Sequence, residues 1–194
     1  MLDFRSMVAA APRLDYSFRD YVRFEADARE RHEFVGGLIL AMAGGTLEHA
    51  RRTASVIATL VAQLGGRKCS VFDSNARIRV QASGNAYYPD ASVVCGKVET
   101  DPDDTLSAIN PTVLVEVLSP TTAEYDRTDK LGEYQKIPSL KHVVHVAHDA
   151  ERIDVWTREG NDWRMKSFGS DEHAVLDAVD CALDVSEIHR DPLA

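Results

Sequence analysis

Asp90, Glu116 and Lys130 are the residues of this chain whose types and settings could do chemistry. Glu116 interrupts its most apolar strand-like run, Pro111-Thr-Val-Leu-Val-Glu-Val-Leu-Ser119. A carboxylate taken out of water there must pair with a cation, bind a metal or keep its proton. Asp90 follows Pro89 and leads directly into a second apolar run, Ala91-Ser-Val-Val94, and Lys130 follows Glu116 by 14 residues. Two acids and a lysine on neighbouring elements are the parts of a metal-dependent hydrolase. Carboxylate oxygens suit a hard cation such as Mg²⁺, which usually keeps several waters. An ammonium leaning over them can orient or activate water and stabilise negative charge in a transition state.

Each residue also has a plainer reading. Glu116 could form an ion pair with a neighbouring Arg or Lys. Asp90 in a Pro-Asp turn could only receive backbone hydrogen bonds. Lys130 lies four residues after Asp126 and four before Tyr134, so a surface Asp126–Lys130 pair worth a few tenths of a kcal/mol is the ordinary expectation. His49, beside Glu48 in the first turns of a helix, reads as structural more readily than catalytic. His142, His145 and His148 resemble a metal cluster on paper, but in a strand His145 faces away from the other two, which stand roughly 20 Å apart. No Ser-His-Asp arrangement and no glycine-rich phosphate loop is present.

The elements that must position these groups follow from periodicity and punctuation. Ser17-Phe-Arg-Asp20 is a capping box opening a short helix to about Ala28, with Phe18, Tyr21, Val22 and Phe24 available for burial. Residues 31–35 and 38–42 form a hairpin around Gly36-Gly37, with Glu33 in its first strand. Gly44-Gly45-Thr46 opens a long helix ending near Leu64, with an apolar stripe of Leu47, Ala50, Ala54, Ile57, Leu60, Val61 and Leu64. Strands are expected at Ser70–Asp73, Ala76–Val80, Asp90–Val94 and Thr112–Leu118 in one sheet, with Lys97–Asn110 an acidic loop. Along the last of these, Glu116 shares a face with Thr112, Leu114 and Leu118, and the valines point the other way. Such a strand is central and covered on both sides. Thr121-x-x-Glu124 caps a helix carrying Lys130 and ending before Pro138. Lys141–Ala147 is a further strand, a hairpin turns at Gly160-Asn161, and the tail from Leu183 adds a short helix.

With 194 residues, 44% hydrophobic and 27% charged, the chain reads as one globular domain over residues 1–194, residues 1–16 being flexible or loosely packed. No apolar run reaches the length of a membrane span, and residues 1–12 make no convincing signal peptide. Cys69, Cys95 and Cys181 are odd in number and widely spaced, which suggests neither a disulfide framework nor a zinc knuckle and fits a reducing cytoplasm. The net charge of −9 opposes tight binding to a polyanion. It leaves room for a local basic face from Arg51, Arg52, Arg67, Lys68, Arg77 and Arg79.

Glu33 with Gly36-Gly37, His49, Pro89-Asp90, the run Val115 to Thr121, and Asp126 with Lys130 and Tyr134 together resemble the Uma-two family, assigned to restriction endonucleases of the PD-(D/E)XK superfamily. The resemblance spans about Ser17 to Val185 and is most specific from Glu116 to Tyr134. It implies an α/β fold with a restriction-endonuclease-like core: a mixed central β-sheet flanked by α-helices, an N-terminal helix and hairpin, and a C-terminal hairpin. It also implies Asp90, Glu116 and the Val117 carbonyl as ligands of Mg²⁺, with Mn²⁺ as a substitute, and DNA as substrate. The superfamily lysine is expected two residues after the second acid, where this chain has Leu118; Lys130 matches the position of members whose lysine has moved to the following helix. Glu33 and His49 match further family positions bordering the pocket. Phosphodiester hydrolysis competes with two other readings: a nuclease-fold protein that binds a partner or nucleic acid, as a homodimer, without cleaving, and a hydrolase of small phosphoesters.

Overall fold

The computed structural model describes residues 15–42 and 44–193. Most of the N-terminal segment expected to be loosely packed lies outside them, but Tyr16 is tied to the body, its N–H donating to the Gly37 carbonyl at 2.8 Å. Helix α1 (Phe18–Asp27) opens with the expected Ser17–Asp20 capping box. It buries Tyr21 and leaves Phe24 half exposed against the edge of the His32 ring, so only part of its expected apolar face is used. Strands β1 (His32–Val35) and β2 (Leu38–Ala41) pair antiparallel across Gly36 and Gly37, both with positive φ.

Helix α2 (Leu47–Leu64) has the predicted limits, but its buried face is Arg52, Val56, Leu60 and Leu64, with Leu47 and Val61 exposed. Arg52 fixes that rotation. Its guanidinium donates to the Ala147 carbonyl at 2.7 Å and pairs with Glu48, drawing the Arg52 side of the helix onto the sheet.

The single expected sheet is two. Strands β3 (Cys69–Asp73), β6 (Ala91–Cys95), β9 (Val113–Val117), β10 (His142–Val146), β11 (Arg152–Glu159) and β12 (Asp162–Gly169) form one, in the order β12-β11-β10-β9-β6-β3, with β9 and β10 parallel. Strands β4 (Arg77–Val80), β5 (Asn85–Tyr87), β7 (Thr100–Asp101) and β8 (Asp104–Ala108) join the first hairpin in a second, ordered β2-β1-β5-β4-β8-β7. The acidic stretch read as a loop therefore contains two strands. It folds back because its acids meet the arginines of β4: Asp104 pairs with Arg77, and Asp101 lies 3.7 Å from Arg79. Five of the six cationic residues considered as a basic face are spent on internal partners. Besides Arg52, Arg77 and Arg79, Arg51 donates to the carbonyls of His189 and Arg190, and Arg67 to the Val179 carbonyl and the Asp180 carboxylate.

Strands β13 (His173–Leu176) and β14 (Cys181–Asp184) make a small antiparallel pair before α5 (Val185–His189), the expected tail helix. One face of the first sheet, with Val113, Val115 and Val117, packs under α2, β13, β14 and α5. The other face, with Leu114 and Val143, packs against Ile78, Val80 and Tyr87 of the second sheet and against Leu131 and Tyr134. No helix among the described residues is long and apolar enough to cross a membrane.

Cys69 and Cys95 are register partners across β3 and β6 and form a disulfide, whereas Cys181 is free and buried. This corrects the expectation of unpaired thiols: wide separation in sequence does not bear on neighbours in a ladder. A bridge across 26 residues restricts the unfolded chain and is expected to contribute about 3 kcal/mol. Reduction, or Cys69→Ser, should lower the urea midpoint accordingly; an unchanged midpoint would show that the bridge contributes nothing.

Candidate active site

The candidate site lies where the two sheets face each other. Strand β9 is central, between parallel β10 and antiparallel β6, and all five of its residues are buried. As the alternation requires, its valines enter the core under α2, and Leu114 and Glu116 face the second sheet. Asp90 immediately precedes β6, whose Ala91 pairs with Val115. That register carries the aspartate to the C-terminal end of β9, where Asp90 Oδ2 accepts the Val117 N–H at 2.7 Å.

The expected single helix after Ser119 is three short pieces: α3 (Ala123–Tyr125), a π-helical turn (Asp126–Lys130) and α4 (Leu131–Tyr134). Its start is held by Ser119, whose hydroxyl accepts the Thr122 N–H at 3.2 Å, and not by the predicted Thr121 cap. Single π turns inside helices are uncommon and recur at functional sites. This one buries both Asp126 and Lys130, so their contact is no surface ion pair.

Lys130 Nζ stands 2.9 Å from Glu116 Oε1, 3.0 Å from Glu33 Oε1 and 3.7 Å from Asp126 Oδ1. Tyr134 donates its hydroxyl to Glu116 Oε1 at 2.6 Å. Glu33, on β1, also accepts the Tyr88 N–H at 3.4 Å. On the far side, His49 Nε2 stands 3.1 Å from Asp90 Oδ2. The fold thus gathers Asp90, Glu116, Lys130 and Glu33; the cationic neighbour that the plain reading of Glu116 called for is Lys130, whereas the surface Asp126–Lys130 pair is not found. The three histidines do not gather. His142 meets Thr157 and Asp177 at its two nitrogens, and His145 is buried on the opposite face. The side chain of Leu118 is buried and apolar, so the lysine position two residues after Glu116 is empty of charge.

Glu116, Glu33 and Asp126 set three carboxyl groups around one ammonium, and Asp90 lies near enough to Glu116 to act on it. Burial pushes Glu116 up to about 8; Lys130 opposes the rise, and Asp90 and Asp126 add to it. Burial alone would lower Lys130, but Glu116, Glu33 and Asp126 outweigh it and hold the amine well above its ordinary value. The cluster keeps its lysine charged and its most buried acid protonated near neutrality. Lys130 is therefore a donor and a positive charge, not a general base. Among the described residues no three His, Cys, Asp or Glu side chains form a ready-made metal cage. A magnesium-like ion needs none, because one or two carboxylates and retained waters hold it. Asp90, Glu116 and the Val117 carbonyl are all oxygen donors, in a cluster short of positive charge, and fit such an ion.

His145 had no signal in the sequence beyond its type. It pairs in register with Glu116, is 1% exposed, and has no hydrogen-bond partner at Nε2. Burial lowers its pKa to about 4; Asp154 opposes this, and Arg127 and Lys130 add to it. Both folded and unfolded states are neutral at this residue above pH 6.5. Below that only the unfolded chain takes the proton, so stability falls until the folded value is reached. The loss should be on the order of 3 kcal/mol between those limits. His145→Gln should flatten the acid limb of a stability-against-pH curve, and an identical limb would show that His145 does not shape it.

Residues 18–186 match the Uma2 family, described as "Putative restriction endonuclease". Similar chains include two uncharacterized proteins of Synechocystis sp. The first, slr1290, is 29% identical over 191 residues, covering 95% of this chain and 98% of its own. The second, sll1609, is 28% identical over 142 residues, covering 73% and 80%. Among solved structures, the crystal structure of "a putative nuclease belonging to DUF820" from Anabaena variabilis superposes with a TM-score of 0.71 at 14% identity, covering 88% of this chain and 96% of that one. At that identity the likeness shows the fold, which has the expected restriction-endonuclease-like core. With the match running from α1 into α5, the chain belongs to the Uma2 family.

Proposed function

We propose that this protein is a Mg²⁺- or Mn²⁺-dependent endonuclease that hydrolyses DNA phosphodiester bonds. The observation that carries the reading is the convergence, at the N-terminal end of β6 and the C-terminal end of β9, of Asp90, Glu116 and a buried, charged Lys130. Asp90, Glu116 and the Val117 carbonyl would hold the cation, which when bound would polarise a phosphoryl oxygen and lower the pKa of a water. Lys130, charged at neutral pH, takes the place that Leu118 cannot fill and donates to the negative oxygen that develops in the transition state. Glu33 and Glu116 fix the Lys130 ammonium from two sides, and Tyr134 fixes Glu116. DNA as substrate follows from the family description.

The test is cleavage of linear, supercoiled and branched DNA with either metal, by wild type and by Asp90→Ala. Metal-dependent cleavage by the wild type alone is expected; an inactive homogeneous wild type, or an equally active variant, overturns the mechanism. The charge of −9, with most of the candidate basic face turned inward, favours a second reading, a nuclease-fold protein that binds without cutting. Calorimetric titration separates them: no Mg²⁺ or Mn²⁺ binding to the intact acids favours the binding protein.

A further inference from the structure

A row of polar residues runs across the first sheet from Glu116 and leads out of the acid cluster to a second group of charges. Ladder partners lie side by side on one face. The register sets Glu116 beside His145, His145 beside Asp154 and Asp154 beside Ser167, on β9, β10, β11 and β12 in turn. Glu116 and His145 are buried, whereas Ser167, at the outer end, is exposed. With neighbouring strands about 4.8 Å apart, Asp154 stands roughly 10 Å from Glu116.

Two arginines close on Asp154. Arg127 comes from the π turn that buries Asp126 and Lys130, and its Nη2 lies 3.9 Å from Asp154 Oδ2. Arg152, two residues before Asp154 on β11, brings its Nε to 3.4 Å from Oδ1. Neither nitrogen has a hydrogen-bond partner among the described residues, and neither has His145 Nε2. The Ser167 hydroxyl takes Asp154 Oδ1 instead, donating to it at 2.6 Å. Donors left unmatched inside a fold are rare and call for a reason. One carboxylate shared by two guanidiniums leaves one positive charge in excess, and the arginine side chains stay 33% and 36% exposed, within reach of an anion from solvent. The His145 ring lies in the field of both Lys130 and Arg127, so the positive charge of the site continues into this group.

We propose that Arg127 and Arg152 form a subsite for a backbone phosphate of DNA, a few nucleotides along the strand from the bond at Asp90 and Glu116. The guanidinium fork suits phosphate oxygens. At a rise of about 3.4 Å per nucleotide in one strand, a separation of roughly 10 Å is about three steps. The subsite rests on DNA being the substrate, as proposed above, and is independent of which groups hold the cation. It supplies the local positive charge that the residues expected to form a basic face, most of them turned inward, do not.

The experiment is a fluorescence anisotropy titration of the full chain against a labelled DNA duplex at several salt concentrations, in chelator and again with Ca²⁺ in place of Mg²⁺. Each phosphate neutralised contributes about 0.9 to the slope of log affinity against log salt. Arg127→Gln and Arg152→Gln should each lower the slope by about that amount and the double variant by about twice it, with weaker binding to every sequence tested. Arg127→Lys keeps the charge without the fork and should keep the slope while binding more weakly than wild type. Asp154→Asn releases both guanidiniums from their carboxylate and should tighten binding, a gain that arginines merely bracing the sheet would not give. An unchanged slope in the double variant, or no gain from Asp154→Asn, overturns the inference and leaves metal-dependent cleavage standing. A wild type that does not cleave but shows these slopes keeps the subsite and overturns the cleavage reading. A wild type that binds no duplex in either buffer overturns the subsite and, with it, the choice of DNA as substrate.

Discussion

Glu116→Gln is expected to lower metal-dependent cleavage by at least about 100-fold, since loss of an outer partner of a metal ligand already costs about 10–100-fold. The same variant should melt above the wild type in metal-free buffer at pH 8. The two effects share one origin. Glu116 has an ordinary value of 4.5 and is pushed to about 8 by burial, with Asp90 and Asp126 adding to the rise and Lys130 opposing it. Between these limits the folded state holds a proton that the unfolded state has released, so this residue's contribution falls as pH rises, by an amount on the order of several kcal/mol. Glutamine removes the charge, leaves the shape nearly unchanged and keeps an oxygen for Tyr134, and Lys130 retains Glu33 and Asp126. Wild type and variant should therefore melt together near pH 5 and separate towards pH 8. Added Mn²⁺ should raise the wild type only. Thermal denaturation across that range tests this; a variant less stable than wild type at pH 8 would show that Glu116 stabilises the metal-free fold.

Arg77→Ala is expected to cost about 3–5 kcal/mol, the range for removing one partner of a buried ion pair. Arg77 and Asp104 are each 4% exposed as side chains. The guanidinium also donates to Ser107 at 2.8 Å and to the hydroxyls of Tyr21 and Tyr88, both at 3.2 Å. Alanine would leave a buried carboxylate and several hydroxyls without their donor. The damage should reach the site, because Tyr88 is two residues before Asp90 and its N–H meets Glu33. An apolar pair of similar volume, Arg77→Met with Asp104→Leu, should recover much of the stability. Urea midpoints of the single and double variants decide the matter, and a single variant within 1 kcal/mol of wild type would refute it.

Much of this was legible in the sequence because burial and chemistry conflict there. A glutamate in a run of valines, an aspartate at the head of another apolar run and a lysine on the next helix stand out against the periodicity of their elements. The hairpin at Gly36-Gly37, the limits of α2 and the β11–β12 hairpin were legible for a related reason, since period and turn residues agree. The second sheet was not. Strands β5, β7 and β8 are two to five residues long, too short for a period, and β8 carries an acid whose burial depends on an arginine 27 residues away. The disulfide depends on ladder register, and the π turn on one residue's difference in helical pitch. His145 became visible only once β10 was placed beside β9.

Lys130 touches Glu116 of one sheet and Glu33 of the other. The same ammonium that the proposed function assigns to the reaction is thus a clasp between two layers whose facing sides are otherwise packed by apolar contact. Chemistry and architecture share one fastening, so whatever parts the sheets, whether heat, denaturant or a distant substitution, silences the site while most strands are still paired. Under the proposed function, activity would gauge how closely the two layers stand.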